Sequence, residues 1–574
     1  MNGPVSSELG SEYWRGAEAA VRRTIYRGTG LGDDMADRPH IGIVNAYTDA
    51  SPAYTHLRGL ADAVKTGVWA AGGIPFEFGT FATCGNIGLG SETLKYELVI
   101  RDALAGSIEI MASVHHFAGL VLLASTDSVI PGHILGALRL NRPTLFVTGG
   151  PMLSGHWRGR SVTAMHVNEA VFGGLPSGAI TPDELKGLED SACPTAGACP
   201  VMGTANTMQI LTEPLGLALP ATATIPAVMV DKVRAAHVSG RRIVDLVRQG
   251  RRVGDVLDSR ALRNALIVDL AIGGSTNAVL HLLSFARELG LPLTLDDFDE
   301  LSRVIPCLSG VLPNGPHTVD QFHQAGGVPQ LMKHLGDLLD GDAVSADGRP
   351  WRTVLERVED RPSSVIATRE KPRFADGGLS VLRGNLAPSG AIIRQSAVPS
   401  EMQRHTGPAI CFDSDRAAYE AVIGGRVRRG SVVVVRYQGP RGAPGMVEVM
   451  LTSDALTSTG RNRDTALITD GRFSGFNHGP IVGHIDPEAA VGGPIALVED
   501  GDTVEIDIQN RRLELHVEAR ELERRRASWR PPERFQRIGR GILGLYAMTA
   551  LPASEGAAMQ PWTEASHERE PAAV

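Results

Sequence analysis

Continuous apolar runs alternate with amphipathic stretches along the first 300 residues of the chain. The runs HIGIVNAY (40–47), GLVLLAS (119–125) and TLFVTGG (144–150) are apolar at successive positions, which predicts strands buried on both faces. Between the runs, residues 55–72 and 91–106 place apolar side chains every three or four positions, which predicts helices that cover those strands. This alternation predicts an α/β domain with a parallel sheet, whose ligands bind at the carboxyl ends of the strands.

The pattern changes at about residue 376, where long helical periodicity becomes scarce. Short β-rich runs with glycine and proline between them follow: GGLSVLRGN, GAIIRQSAV, GSVVVVRYQG, TALITDG, DTVEIDIQ and RLELHVEA. Such runs predict a mainly β domain, either barrel-like or a swivelling β-sandwich.

A chain of 574 residues is too long for one hydrophobic core, so two domains are expected. We predict an N-terminal extension over residues 1–20 and an α/β domain over 21–370. A β-barrel-like domain over 371–552 and a disordered tail over 553–574 complete the prediction, because the last residues lack periodicity.

Charge and composition exclude several classes of function. The net charge of −8 gives no electrostatic reason to bind nucleic acid or an anionic membrane surface. The N-terminus lacks the apolar core of a secretory signal, and no uncharged apolar run reaches the roughly 18 residues that cross a bilayer. Five cysteines are too few for a disulfide framework, so a cytoplasmic protein is expected.

Six stretches combine glycine, proline, serine and asparagine in an unusual way. Each taken alone is compatible with ordinary turn chemistry. They are FVTGGPM (146–152), EDSACPTAGACPVMGTANTM (189–208), IGGSTNAVLHLL (272–283), GGLSVLRGNLAPSGAI (377–392), VVRYQGPRGAPGMVEVM (434–450) and ITDGRFSGFNHGPIVGHIDPEAAVGGPIALVEDGD (468–502).

In order and spacing, these stretches closely resemble the dihydroxy-acid dehydratase and 6-phosphogluconate dehydratase family (IlvD/Edd), from about residue 20 to about residue 550. The resemblance implies a hydro-lyase that converts a small hydroxy acid to a 2-keto acid, working as a homodimer or homotetramer. It also implies cofactors, because hydroxide is a poor leaving group. In the family, an iron–sulfur cluster polarises the β-hydroxyl, magnesium holds the carboxylate end, and a serine takes the α-proton.

The cluster positions of the family are poorly matched in this chain. Of the three cysteines expected from the resemblance, the first corresponds to Ala53, the second to Thr126 and the third to Cys199. An iron–sulfur cluster in the family's geometry needs thiolate sulfur at all three places, so we predict that the cluster is not bound.

The magnesium positions are also depleted. Asp127 and Glu448 match family ligands, whereas Gly85 replaces an aspartate and Ser128 replaces a lysine that is typically carbamylated. Two carboxylates can hold magnesium or another divalent cation together with water, because this ion keeps much of its hydration shell. An unmetallated carboxylate pair is the alternative.

Ser474, in DGRFSGFNHG, matches the family's catalytic serine and keeps its surrounding motif. Cys84 and His478 are possible auxiliary groups, although each is compatible with a scaffold role. His115 and His116 precede the strand that leads to Asp127. We interpret this pair as a turn or helix-end feature, and the alternative is a general acid that replaces the iron.

Three functional hypotheses follow. The first is a divergent hydro-lyase of a specialised pathway, acting on a small polyhydroxy or hydroxy acid by α-proton abstraction and β-elimination. The second is a pseudo-enzyme that serves as a binding or regulatory subunit. The third is an ordinary iron–sulfur dehydratase in which neighbouring residues rescue the missing ligands.

Overall fold

A parallel sheet forms the centre of the N-terminal part of the structure, a computed structural model that describes residues 11–361, 363–473, 475, 478–533 and 540–560. Its strand order is β2-β1-β3-β4 and all neighbouring pairs are parallel. The strands are β1 (His40–Asn45), β2 (Ile74–Gly79), β3 (Gly119–Ala124) and β4 (Thr144–Thr148). Strands β1, β3 and β4 are buried along their whole length, as their continuous apolar sequence predicts.

Some of the helices pack on this sheet, and others pack on the C-terminal part of the molecule. The α-helices are α1 (Ala19–Arg27), α2 (Leu57–Ala70), α3 (Gly85–Gly88), α4 (Tyr96–Val114), α5 (Val129–Leu140), α6 (Ala164–Glu169), α7 (Pro182–Ser191), α8 (Thr204–Leu211), α9 (Val230–Arg248), α10 (Ser259–Ile272), α11 (Thr276–Leu289), α12 (Leu295–Ser302), α13 (Val319–Gln324), α14 (Gly327–Leu335), α15 (Trp351–Leu355), α16 (Asp415–Ile423), α17 (Leu451–Ser458), α18 (Ala519–Ser528) and α19 (Gly541–Thr549). Helices α2 and α4 fulfil the two helical predictions, with ends shifted by a few residues.

Glycines allow helices α2 and α9 to pack closely. A Cβ atom on Gly67 of α2 would lie 2.1 Å from the carbonyl oxygen of His237, and one on Gly240 of α9 would lie 2.1 Å from that of Val64. Any side chain at either position would force the helices apart, since real Cβ atoms do not approach backbone oxygen so closely. Helix α4 packs against α5 in the same layered arrangement.

The C-terminal part is a closed barrel, as the β-rich pattern predicts. Among the described residues, eight strands close in the order β10-β11-β12-β8-β7-β14-β13-β9. They are β7 (Ser380–Gly384), β8 (Ala387–Ile393), β9 (Arg404–Phe412), β10 (Val432–Val435), β11 (Ala466–Thr469), β12 (Ile481–Asp486), β13 (Thr503–Asp507) and β14 (Arg512–His516). A small hairpin, β5 (Gly155–Trp157) with β6 (Arg160–Val162), lies outside both sheets.

Some strands were not predicted from the sequence. Strand β2, IPFEFG, is only partly buried, so it lacks the continuous apolar pattern of its neighbours. Strand β9, RHTGPAICF, carries polar residues and a proline, so its sequence also lacks the continuous apolar pattern that predicts a buried strand. Strand β12, IVGHID, lies inside a stretch that was interpreted as motif rather than as strand.

Residues 553–560, which the sequence analysis placed in a disordered tail, pack against the α/β part of the molecule. A 3-10 turn spans Ala553–Glu555, and Ala557 is buried. The fully buried Arg101 of α4 donates hydrogen bonds to the carbonyl oxygens of Gly556 (3.0 Å) and Ala557 (2.9 Å). Bonding of this backbone to a buried arginine gives it order that composition does not predict, and residues 561–574 lie outside the described residues.

The two parts of the molecule are joined by a buried arginine. Arg394 directly follows β8 of the barrel, and its guanidinium donates to the carbonyl oxygens of Gly274 (2.9 Å) and Met202 (2.8 Å) in the α/β part. Each of these bonds satisfies a backbone acceptor that burial would otherwise leave without water.

None of the helices in the described residues is both long and apolar enough to cross a membrane.

Candidate active site

The turn after β3 carries the sequence Ser125–Thr126–Asp127–Ser128 to the carboxyl edge of the parallel sheet, where ligands of such sheets bind. Helix α5 begins directly afterwards at Val129, so the Asp127 carboxylate lies near the positive end of that helix. The Ser128 hydroxyl donates to Asp127 Oδ1 over 3.3 Å. The strand therefore ends in a group that presents one carboxylate with a local hydrogen-bond donor.

Arg472 connects this turn to the barrel. Its Nη1 atom lies 3.6 Å from Asp127 Oδ1 and 2.9 Å from Glu448 Oε1, and the arginine side chain is fully buried. Its Nε donates to the carbonyl oxygen of Met446 over 2.8 Å. The two carboxylates predicted from the sequence are therefore brought together, with a guanidinium between them.

Helix α11 supplies a neutral partner for the same group. Asn277, in its first turn, donates from Nδ2 to Glu448 Oε1 over 2.8 Å and to the Thr204 hydroxyl over 3.0 Å. Asn277 belongs to the quoted motif IGGSTNAVLHLL, and Thr204 belongs to the motif that contains Cys199. Three of the unusual stretches thus meet at Glu448.

Glu97, at the second position of α4, is a third acidic residue beside the pair. It is only 4% exposed, and the Thr83 hydroxyl donates to its Oε2 over 3.3 Å. Its other oxygen, Oε1, is buried and has no hydrogen-bond partner among the described residues. Glu97 was not predicted, because a single acid within the run YELVI gives no signal in one sequence.

Burial shapes the proton affinities of these groups. It raises the pKa of Glu97 to about 8 and that of Glu448 to about 7, and it also raises the pKa of Asp127. The negative charges of Asp127 and Glu448 add to the effect at Glu97, whereas Arg472 opposes it. The cluster therefore combines one permanent positive charge with carboxyl groups that hold protons unusually well.

The loops that carry the predicted cluster positions also converge. The backbone N–H of Gly197 donates to the carbonyl oxygen of Pro52 over 2.9 Å, which ties the Cys199 loop to the segment containing Ala53. The Tyr54 hydroxyl forms a hydrogen bond with the Thr126 hydroxyl, and both lie within bonding distance of the Thr83 carbonyl oxygen, at 3.1 and 3.2 Å. The three segments lie together as the resemblance implies, but the hydrogen bonds between them are made by hydroxyl and backbone groups rather than by sulfur ligands.

The residues present do not fit an iron–sulfur cluster in the expected geometry. Ala53 offers a methyl group, and the Thr126 hydroxyl is engaged with Tyr54, which leaves Cys199 as the sulfur donor at the three places. Burial raises the pKa of the Cys199 thiol to about 12 in the protein without metal.

The fit to a divalent cation is also incomplete. Within the described part of the chain, no three His, Cys, Asp or Glu side chains are grouped so that they could hold a metal ion. Gly85 and Ser128 supply no carboxylate, and the space between Asp127 and Glu448 holds the Arg472 guanidinium. The residues that the structure describes therefore form no preorganised magnesium site.

A cavity of about 360 Å³ opens beside the cluster, within the usual size range for small-molecule sites. Its wall includes Ser51, Thr83, Cys84, Gly85 and Glu97. Burial, together with the charge of Glu97, raises the pKa of the Cys84 thiol to about 11. This auxiliary candidate is therefore a neutral thiol in the cavity wall.

The remaining predicted residues have other positions. Ser474 lies outside the described residues. His478 is largely buried, its pKa is lowered to about 4 by burial, and its backbone oxygen accepts bonds from Thr457 and Asn462. The charged groups that affect its pKa are Arg394 and His166 rather than the carboxylates.

The histidine pair has the structural role that was expected. His115 caps the C-terminal end of α4, and its Nδ1 lies 2.9 Å from the Tyr26 hydroxyl. The His116 ring stacks on Tyr13 with 3.9 Å between ring centroids. Both lie at the amino end of β3, whereas Asp127 follows its carboxyl end, so the geometry does not support a general-acid role.

Two family models match almost the whole chain. The model for the N-terminal part of dihydroxy-acid/6-phosphogluconate dehydratases matches residues 38–354, and that for the C-terminal part matches residues 364–557. Relatives named dihydroxy-acid dehydratase come from Methanothrix thermoacetophila and Methanothermobacter thermautotrophicus, both 44% identical, and from Pyrococcus abyssi, 43% identical. Each alignment covers 95% of this chain and 98–99% of the relative.

Such similarity over nearly the full length of both proteins agrees with the parallel sheet, the barrel and the acidic site at the sheet's carboxyl edge. The chain therefore belongs to the dihydroxy-acid/6-phosphogluconate dehydratase family and is an enzyme of the hydro-lyase class.

Proposed function

We propose that the protein dehydrates a small hydroxy or polyhydroxy acid to a 2-keto acid in a specialised pathway, by α-proton abstraction followed by β-elimination. The observation that supports this most is the buried group of Asp127, Glu448 and Arg472 at the carboxyl edge of the sheet. Burying charged groups reduces the stability of a fold. A cluster of such groups beside a cavity is therefore more readily explained by a catalytic role than by a structural one.

The reaction requires a base for the α-proton and stabilisation of the enolate that forms. We assign the base to Ser474, which follows Arg472 by two positions in the chain. The guanidinium of Arg472 is the positive charge of the site and is fully buried, so its field is weakly screened and favours an anionic substrate or enolate. Asp127 and Glu448 fix the orientation of that guanidinium.

A magnesium or other divalent cation on Asp127 and Glu448 stays a prediction from the resemblance. It would have to compete with Arg472 for both carboxylates. When bound, such an ion would hold the carboxylate end of the substrate. The iron–sulfur cluster is expected to be absent, since sulfur stands at Cys199 but not at positions 53 and 126. The homodimer or homotetramer and the cytoplasmic location are likewise predictions.

The proposal is tested by incubating the anaerobically purified enzyme with a panel of 2,3-dihydroxy acids and aldonic acids and measuring 2-keto acid formation. We expect turnover of at least one acid, and less than stoichiometric iron and sulfide in the same preparation. Ser474→Ala should abolish turnover while the oligomer, measured by light scattering, stays intact. The exposed Ser400→Ala is the matched control and should keep full activity.

Failure of the whole panel with the intact protein would contradict the dehydratase proposal. A stoichiometric iron–sulfide centre would contradict the cluster-free site and favour a rescued family cofactor. Substrate-like acids that shift the melting temperature without any turnover would favour the binding-subunit hypothesis, which the names of the relatives given above do not suggest.

A further inference from the structure

Glu97 is the acidic residue that belongs both to the buried charge cluster and to the cavity wall. It lies at the start of α4, which packs on α5, the helix that follows Asp127. Its side chain is buried and forms part of the cavity wall. A carboxyl group therefore lies next to the space that a small acid could occupy.

Glycine at position 85 makes room for that carboxyl group. A Cβ atom built on Gly85 would lie 3.3 Å from Glu97 Cδ and 3.5 Å from Glu97 Oε2. The first distance is tighter than most Cβ contacts and the second is ordinary van der Waals contact, so a side chain at 85 would touch Glu97 and require it to shift by a few tenths of an ångström. The acidic side chain that the resemblance implies at position 85 would therefore crowd the carboxyl group of Glu97.

The other carboxylates of the cluster are already engaged. Asp127 accepts from Ser128 and faces Arg472, and Glu448 accepts from Asn277 and Arg472. Glu97 Oε1, in contrast, is buried without a hydrogen-bond partner among the described residues. A buried polar atom without a partner is costly, and a neutral carboxyl group that meets a substrate hydroxyl would remove that cost.

Burial and the neighbouring charges together raise the pKa of Glu97. Asp127 and Glu448 are negative neighbours, Arg472 is a positive one, and burial is the largest contribution, so that the pKa is raised to about 8. The other titratable groups that face this region, Cys84 and Tyr54, have raised pKa values and are neutral. Among the acidic residues of the cluster, Glu97 is the one that also lines the cavity.

We propose that Glu97 is the catalytic acid that protonates the departing β-hydroxyl group of the substrate. This inference rests on the proposed dehydratase function and supplies the step that iron performs in the family. The base takes the α-proton, the Cβ–O bond breaks, the Glu97 proton joins the hydroxyl to give water, and an enol remains. The enol becomes the 2-keto acid, and Glu97 regains a proton, so the reaction is redox neutral.

The test compares two leaving groups. Dehydration of the hydroxy acid needs a proton donor, whereas loss of chloride from the matching 3-chloro-2-hydroxy acid does not. We expect Glu97→Gln to slow dehydration by at least about 100-fold, the usual contribution of a general acid, and to change chloride elimination by less than about 3-fold. Equal loss of both reactions would overturn the proposal in favour of a structural role.

Exchange of the α-proton with deuterium from solvent, followed by NMR, separates this inference from the proposed function. If the wild type exchanges and eliminates while Glu97→Gln only exchanges, the acid role is supported. If the wild type neither exchanges nor eliminates on any acid of the panel, the dehydratase proposal fails and this inference fails with it. If Glu97→Gln dehydrates normally, the inference alone is wrong.

Two further variants sharpen the result. Gly85→Ala adds a methyl group against the Glu97 carboxyl, so it should slow dehydration more than chloride elimination while leaving Glu97 in place. Glu109→Gln removes an exposed carboxylate from the same helix and should change neither reaction.

Protonation of Glu97 is measurable without any substrate. The infrared difference spectrum between the wild type and Glu97→Gln at neutral pH should show the carbonyl band of a protonated carboxyl group. A band of an ionised carboxylate in its place would overturn the proposal, since an ionised Glu97 has no proton to donate.

Discussion

Two sides of the site differ in how their polar groups are bonded. On the sulfur side, around Ala53, Thr126 and Cys199, hydroxyl groups bond to one another and to the backbone through Tyr54. On the carboxylate side, Glu97 joins Asp127 and Glu448 around the buried Arg472, and Glu97 Oε1 and Arg472 Nη2 have no hydrogen-bond partner within the described part of the chain. The first side resembles an ordinary satisfied interior, and the second does not.

We interpret this difference as a guide to where the proposed chemistry takes place. A polar network whose groups are all bonded contributes to stability and needs no other explanation. Buried carboxyl groups with raised pKa values reduce stability, so a site that keeps them trades stability for chemistry. The experiments below test this contrast, beginning with the largest expected effect.

Asp127→Asn should lower dehydration by about 100-fold or more, because it removes the carboxylate that orients Arg472 at the sheet edge. The measurement is kcat/KM on the acid turned over most rapidly by the wild type. Asp183→Asn, an exposed change in the first turn of α7, serves as the control and should have no effect. Wild-type activity in Asp127→Asn would remove the carboxylate side from the mechanism.

Arg472→Met should destabilise the fold by about 3–5 kcal/mol, since it leaves two buried carboxyl groups without their cation. Thermal unfolding at fixed protein concentration measures this loss. Arg463→Met removes the exposed partner of Glu401 and should cost about 1 kcal/mol or less. A similar melting temperature for both variants would mean that the buried carboxyl groups do not depend on the charge of Arg472.

The pH dependence of stability should change in Glu97→Gln. The folded pKa of Glu97, about 8, lies above its ordinary value of 4.5, so the folded state holds a proton that the unfolded state releases between these values. The contribution of this group to stability is therefore lost as pH rises through that window. Over the whole window the loss is on the order of 5 kcal/mol in the wild type, at about 1.4 kcal/mol per pKa unit.

Melting temperatures measured from pH 5 to pH 8 test this sign. They should fall more steeply for the wild type than for Glu97→Gln, while Glu109→Gln keeps the wild-type slope. Identical slopes in all three proteins would show that Glu97 does not titrate in this range.

Tyr54→Phe tests the sulfur side and should have the smallest effect, about 1 kcal/mol of stability. It removes the hydroxyl that bonds to Thr126 and to the Thr83 carbonyl oxygen, 3.1 Å away. Tyr419→Phe, at a half-buried ring on the barrel helix α16, is the control. Loss of dehydration in Tyr54→Phe, rather than a modest loss of stability, would assign catalysis to this side as well.

Much of the fold was predictable because the pattern of apolar residues indicates which segments are buried. The continuous apolar runs of β1, β3 and β4 and the periodic helices α2 and α4 gave the parallel sheet, and the short β-rich runs gave the barrel. Strands β2 and β9 escaped prediction because their exposed or proline-containing sequences derive their pairing from neighbours. The order of residues 553–560 also depends on a distant partner, Arg101.

The candidate site divides in the same way. The resemblance to the family predicts Asp127, Glu448 and Cys199 as site residues and the absence of sulfur at Ala53 and Thr126, because such a prediction needs only recognisable stretches of sequence, and these assignments stay predictions. The roles of Arg472 and Glu97 were decided by the tertiary structure. Charge and burial act through space, and only folding brings residues 97, 127, 448 and 472 close enough to change one another's proton affinity.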